Sequence, residues 1–148
     1  MKEKDIFEIE VDGEMKDMEE LASSDHTTLY AEKDFKYNAP HTFAILESNL
    51  AVEKTDEVDE DGNLCCEAEG FATLIHFQEG PIKEVGVNGV SNEDLINMVV
   101  CRLDHFQNSA YKCEENAKAI EHLNAALDAL RERTNKRNVR GVEGTSAI

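Results

Sequence analysis

Phe106, Asn116, Arg133 and Arg137 stand at intervals of 10, 17 and 4 residues near the C-terminal end of this chain. Two guanidiniums four residues apart share one face of a helix, and together they can hold a pyrophosphate through bidentate hydrogen bonds. Asn116 lies far from them on the same expected helix: 17 residues at 1.5 Å each is roughly 25 Å. No small molecule spans that distance. If the four residues share a small anionic ligand, an antiparallel second copy must bring its arginine end to the Phe106 and Asn116 end of the first.

The elements that carry these residues form a helical hairpin. Ser91 is an N-cap candidate followed by Glu93 and Asp94, whose carboxylates suit the first turn of a helix. Leu95, Met98, Val99, Leu103 and Phe106 continue a helical stripe that stops near Gln107-Asn108-Ser109. A second helix is expected from about Tyr111 to Lys136, with Ile120, Leu123, Leu127 and Leu130 as its stripe. The short 108–111 connection makes the two helices antiparallel neighbours. Extending the second stripe back by one turn puts Asn116 on the seam. There it is either an amide that sets helix register or a ligand contact. Phe106 alone reads as core. Arg131, Arg133, Lys136, Arg137 and Arg140 alone read as a solvated basic end that complements the helix dipole. The contrast with the rest of the chain favours a site, since five of the fifteen basic residues fall within ten positions.

The first half of the chain is different in kind. Ile6–Val11 alternates apolar and acidic residues and stops at Asp12-Gly13, a strand followed by a turn. Residues 14–26, with Met15, Met18 and Leu21 three apart, are expected to form a short helical turn that Ser23-Ser24-Asp25 ends. Residues 28–36 are ambiguous. A strand is expected from Thr42 to Leu46 and onward to Val52, then an acidic loop from Asp56 to Asn63, then a return strand from Leu64 to Phe77 closed by Gly80-Pro81. The expected fold class is α+β: a small N-terminal antiparallel β region over residues 1–83, then a C-terminal antiparallel helical hairpin over 84–148.

The formal net charge is −17, and residues 1–70 hold 21 acids against 6 bases. Such a field disfavours polymeric DNA or RNA and anionic membranes, so any phosphate site must be local. Cys65, Cys66, Cys101 and Cys113 lack CxxC spacing, and the five histidines lack HxH or HExxH spacing. No metal site, catalytic constellation or cofactor is therefore expected. Nor is a leader peptide or membrane span, and the chain reads as soluble in a reducing cytosol. The tail Arg140-Gly141-Val142-Glu143-Gly144-Thr145 is either a loose terminus or, through its glycine amides and the Thr145 hydroxyl, a second anion pocket near residues 86–91.

The stretch from about Phe77 to Thr145 resembles the phage Thoeris anti-defence nucleotide sponges of the first described type. The motifs that carry the resemblance are Asn88-Gly89-Val90, His105-Phe106-Gln107, Cys113-Glu114-Glu115-Asn116-Ala117 and Arg140-Gly141-Val142-Glu143-Gly144-Thr145. The hairpin is also similar to that of the phage anti-CBASS cyclic-oligonucleotide sponge. The resemblance implies a non-enzymatic protein, acting in the cytoplasm of the infected bacterium, that sequesters cyclic ADP-ribose isomers made by bacterial TIR-domain proteins. It implies assembly into dimers and hexamers. Phe106 would then stack on adenine, Asn116 would read a base or ribose edge, and Arg133 and Arg137 would hold the pyrophosphate. Arg140, Gly144 and Thr145 would belong to a second pocket for cyclic di- or trinucleotides. Two other classes compete with this reading. An acidic DNA mimic that occupies a nuclease or restriction complex suits the charge but not the basic hairpin end, and a signal-degrading enzyme lacks a catalytic constellation. The roughly 25 Å separation predicts at least a dimer; a monomer by light scattering that binds ligand at full affinity would remove the shared pocket.

Overall fold

The computed structural model describes residues 6–48, 51–58, 60–62 and 64–148. Its first element, β1 (Ile6–Val11), turns at Asp12 (φ 51°) and Gly13 (φ 81°) into β2 (Glu14–Ser23). Positive φ at both central residues is the tight hairpin geometry whose twist matches that of paired strands. Val11 therefore pairs with Glu14 and Phe7 with Met18. The expected helical turn over 14–26 is corrected here. The three-residue spacing of Met15, Met18 and Leu21 imitates a helix, but the hairpin forces this segment into a ladder. Only Met18 is fully buried, while Met15 and Leu21 are exposed, Leu21 at the register shift between Glu20 and Ala22.

The ambiguous segment that follows is largely β3 (Thr27–Glu32), and the next strand is β4 (Thr42–Glu47). The chain then makes a hairpin of its own, β5 (Ala51–Val58) against β6 (Leu64–Glu69), before β7 (Ala72–His76) pairs with β4. Residues 49, 50, 59 and 63, which fall in the expected strand extension and acidic loop, lie outside the described residues. The loop expected from Asp56 is shorter, because β5 continues to Val58. The single return strand expected over 64–77 is two strands. Gly70 interrupts it (φ 139°), and the ladder partner changes from β5 to β4 across that break. All pairings between the strands are antiparallel, in the order β1-β2-β3-β4-β7 with β5-β6 as a separate two-stranded sheet. Ile9 of β1 lines the same groove, about 570 Å³, as Ala44, Leu46 and Leu74 of β4 and β7. Strands at opposite ends of the order share one hollow, so the five-stranded sheet curls.

One buried carboxylate ties this sheet together. Glu32, 3% exposed, accepts from the His41 and Thr42 backbone N–H groups at 2.6 and 3.2 Å and from Lys16 Nζ at 3.0 Å. Burial pushes its carboxyl up, but the His41 N–H, the Lys16 ammonium and the Thr42 N–H together outweigh that and hold it below the ordinary carboxylate range. It thereby joins β2, β3 and the start of β4.

The chain divides by its contacts into two compact units, residues 1–76 and 77–148. Residues 77–83, expected with the β region, hydrogen-bond within the second unit. The Gln78 N–H donates to the Val90 carbonyl at 2.9 Å and the Lys83 N–H to the Gly144 carbonyl at 2.9 Å. This unit contains the single turn α1 (Ile82–Val85), α2 (Asn92–Gln107) and α3 (Glu114–Val139). An α+β fold class is thus what the structure has. As expected, Ser91 caps α2. Its hydroxyl accepts from the Asp94 N–H and the Asp94 carboxylate from the Ser91 N–H, which holds Asp94 below its ordinary value. The second helix starts three residues later than expected. Gln107 closes the connection with paired bonds to the Cys113 backbone N–H and carbonyl, both 3.0 Å.

A Glu32→Ala variant should lose about 2–4 kcal/mol, because two backbone N–H groups and a part-buried ammonium lose their acceptor. Since the folded carboxyl is depressed, its stabilisation is present above the unfolded carboxylate value and is lost as pH falls through the lower folded one. Chemical unfolding followed from pH 7 down to about pH 3 should show this acid loss in the wild type and a flatter curve in the variant.

Candidate functional site

α3 is 26 residues long, roughly 39 Å at 1.5 Å per residue, and carries three of the four candidate residues. At its start Asn116 is half-buried, and its side chain makes no hydrogen bond among the described residues. Leu127 is the buried residue of α3. On α2 Leu95, Ile96, Val100 and Leu103 are half-buried, whereas Met98, Val99 and Phe106 are exposed. The expected α2 stripe is corrected accordingly. One neighbouring helix covers only a narrow strip, so the outer half of a broad apolar stripe stays in solvent.

Phe106 is 38% exposed. The Arg102 guanidinium lies 5.6 Å from its ring centroid, and Tyr111 meets it edge-on at 6.4 Å. The ring is thus held by a cation on its face and an aromatic at its side, and the rest of it stays accessible. Tyr111 and Arg102 were not singled out by sequence reasoning. Arg102 is four residues before Phe106 on α2, so the i,i+4 spacing could have found it, whereas Tyr111 lies in the connection and left no periodic signal.

At the other end of α3, Arg133 and Arg137 line one groove of about 430 Å³ together with Ala129, Glu132, Lys136 and Arg140. The two guanidiniums differ in what they already hold. Arg133 is exposed, and its guanidinium makes no hydrogen bond or ion pair among the described residues. Arg137 is 15% exposed and donates through Nε to Glu143 at 2.9 Å, through Nη1 to the Ala147 carbonyl at 3.0 Å, and through Nη2 to the carbonyls of Val142 and Thr145 at 2.9 and 3.1 Å. The Lys136 ammonium is paired with Glu132 at 3.0 Å.

The tail is therefore tied down rather than loose. Gly141, at φ 71°, follows the last helical turn; its N–H donates to the Asn138 carbonyl and the Val142 N–H to the Arg137 carbonyl, at 3.0 and 3.1 Å. This is a Schellman ending, which needs a residue tolerant of the left-handed region. The Thr145 hydroxyl donates to the Val142 carbonyl at 2.5 Å and accepts from the Ala147 N–H at 3.3 Å. Arg140 donates to the Ile148 carbonyl. Gly144 sits against α1, where a Cβ would meet the Lys83 side chain at 3.1 Å. At Gly89 a Cβ would lie 2.3 Å from the Phe77 carbonyl carbon, and this close approach accompanies the Phe77–Val90 bridge.

Among the described residues no group of three or more His, Cys, Asp or Glu could hold a metal ion. Among the described residues no helix is long and apolar enough to cross a membrane. The arrangement offers a partly exposed ring and an unpartnered amide at one end of the hairpin, and an available guanidinium beside a braced one at the other.

Residues 73–134 match the family description "Acb2/Tad1, hairpin domain". Thoeris anti-defense 1 of Bacillus phage SBSphiJ7 is 43% identical over 133 residues, covering 85% of this chain and 94% of that protein. The chain belongs to the Thoeris anti-defence family. Membership brings an anti-defence role, and the family match spans the whole of α2 and the α3 positions up to and including Arg133. Arg137 and the tail fall beyond the hairpin match.

A structural amide and a ligand amide respond oppositely to an apolar replacement. Asn116→Leu should leave thermal stability within about 1 kcal/mol of wild type, since a half-buried amide without a protein partner keeps its hydrogen bonds to water and gives up little when replaced. Thermal unfolding checks this, and a loss above about 2 kcal/mol would return Asn116 to a register role.

Proposed function

We propose that this protein is a non-enzymatic sponge that binds cyclic ADP-ribose isomers produced by bacterial TIR-domain proteins and so keeps a Thoeris effector off. The observation that carries the reading is the complementary placement of groups at the two ends of one rigid hairpin in a chain of the anti-defence family. Phe106 supplies a ring face for adenine and Asn116 an unpartnered amide for a base or ribose edge. Arg133 and Arg137 supply donors for the pyrophosphate. These groups belong to one pocket only if two copies pack antiparallel. The exposed Met98 and Val99 on α2 support such a second copy as partner. A hexamer would repeat this contact.

Arg140, Gly144 and Thr145 are proposed to serve a second pocket for cyclic di- or trinucleotides. Its tail is ordered against α1, but the Thr145 hydroxyl is engaged within it. Binding there would use backbone amides and Arg140 more than that hydroxyl. Sequestration needs slow release and no chemistry. The site would act in the cytoplasm of the infected host, where the signals are made.

The experiment is capture followed by release. Protein incubated with each cyclic ADP-ribose isomer, washed and heat-denatured should return intact nucleotide. Altered nucleotide would identify an enzyme, and no uptake would favour an acidic mimic of DNA.

Arg133→Ala should weaken isomer binding by about 2–5 kcal/mol with little change in folding, the usual cost of deleting one partner of a desolvated charge contact. Arg133→Ala and Asn116→Ala chains should each be defective alone. When co-refolded, one of the two heterodimer pockets regains both residues, so capacity should recover to about one quarter of wild type under random pairing. A mixture as inactive as its parents, despite verified exchange, would refute the shared pocket.

A further inference from the structure

Arg137 poses a physical question that the diphosphate reading leaves open. A guanidinium has five N–H donors, and four of those of Arg137 are used by Glu143 and the carbonyls of Val142, Thr145 and Ala147. Yet Arg137 still lines the groove with Arg133. One Nη1 hydrogen remains outside these bonds. The same groove also holds Lys136 and Arg140, so four cations crowd two turns of helix with only Glu132 and the tail carboxylate to offset them. Like charges at i,i+4 repel, and a long arginine side chain free in solvent has many rotamers to lose on binding.

We infer that Glu143 is a positioning residue for anion binding. With the three tail carbonyls it braces the Arg137 guanidinium beside Arg133, so that its remaining N–H edge is set for a diphosphate oxygen before the ligand arrives. This rests on the proposed diphosphate contact at Arg133 and Arg137. The brace exists because the Schellman ending turns the chain back at Gly141 and brings residue 143 over the helix that carries residue 137. Its benefit is preorganisation: the side-chain ordering is completed during folding rather than at binding. Its cost is a carboxylate next to an anion site, which by charge alone would weaken binding. The two effects have opposite signs, and that makes the assignment testable. At a solvent-accessible groove the charge effect is screened by salt, whereas fixing a charged donor is not.

The test is calorimetric titration of inorganic pyrophosphate into the full chain at about 0.15 M salt. It is accompanied by NMR of the arginine Nε–H groups and by far-ultraviolet circular dichroism. Wild type should show a protected Arg137 Nε–H signal. Glu143→Ala should lose that signal, keep its helix content and bind pyrophosphate about tenfold more weakly, roughly the worth of one charge-assisted hydrogen bond. Glu143→Gln keeps an acceptor oxygen without the charge and should fall between. If Glu143→Ala binds as well as or better than wild type while Arg133→Ala is defective, Glu143 only screens the site and the inference is overturned. If wild type takes up no pyrophosphate, or Arg133→Ala binds it unchanged, the diphosphate reading itself fails and the inference fails with it.

Discussion

A straight helix cannot fold its two ends together, and α3 carries that constraint for the whole second unit. Its 26 residues keep Asn116 and Arg133 roughly 25 Å apart whatever the loops do, because intrahelical hydrogen bonds fix the rise per residue. Groups of complementary chemistry are thus presented at two ends of a rod rather than within one cavity. The grooves of the described residues agree with this. The basic one runs along a single helix face, and Phe106 is not among its lining residues.

The seam between α2 and α3 follows from the same geometry. Two helices meet along one narrow line, so only Leu127 becomes fully buried, while Met98 and Val99 keep their apolar surface in solvent. Helix formation here depends on local signals more than on a deep core. The Ser91–Asp94 capping box starts α2, the Gln107–Cys113 bonds close the connection, and Gly141 ends α3. The curled sheet of the first unit relies on burial and on Glu32, whose acceptor oxygens join three strands. Most of the acidic charge of the chain sits in that unit. The basic end of α3 therefore stands out electrostatically, and it sits where the helix dipole favours cations and opposes anions. An anion bound there must be held by side chains and not by helix backbone.

Local signals made much of the fold readable. The Asp12-Gly13 turn, the Ser91 cap, the end at Gln107 and the leucine stripe of α3 each act within a few residues, and each could be read from residue types and spacing. The α+β class followed. The segment 14–23 was not readable in this way, since its methionine spacing suits a helix and only pairing with β1 and β3 makes it a strand. The division of residues 64–77 into two strands was hidden for a similar reason: both halves have strand composition, and the change of partner at Gly70 is a tertiary event.

For the site, residue types and intervals alone determined that Phe106, Asn116, Arg133 and Arg137 lie on one hairpin, with the arginines on one helix face, because helical periodicity is a local property. Which of those side chains are available was decided by tertiary structure. Sequence spacing treats Arg133 and Arg137 as equivalents, yet one is exposed while the other grips a folded-back tail. The difference arises because the chain reverses at Gly141 and returns four carbonyl and carboxylate partners to Arg137 and none to Arg133. Hydrogen-bond partners brought by a chain reversal have no periodicity, so only the folded chain reveals them.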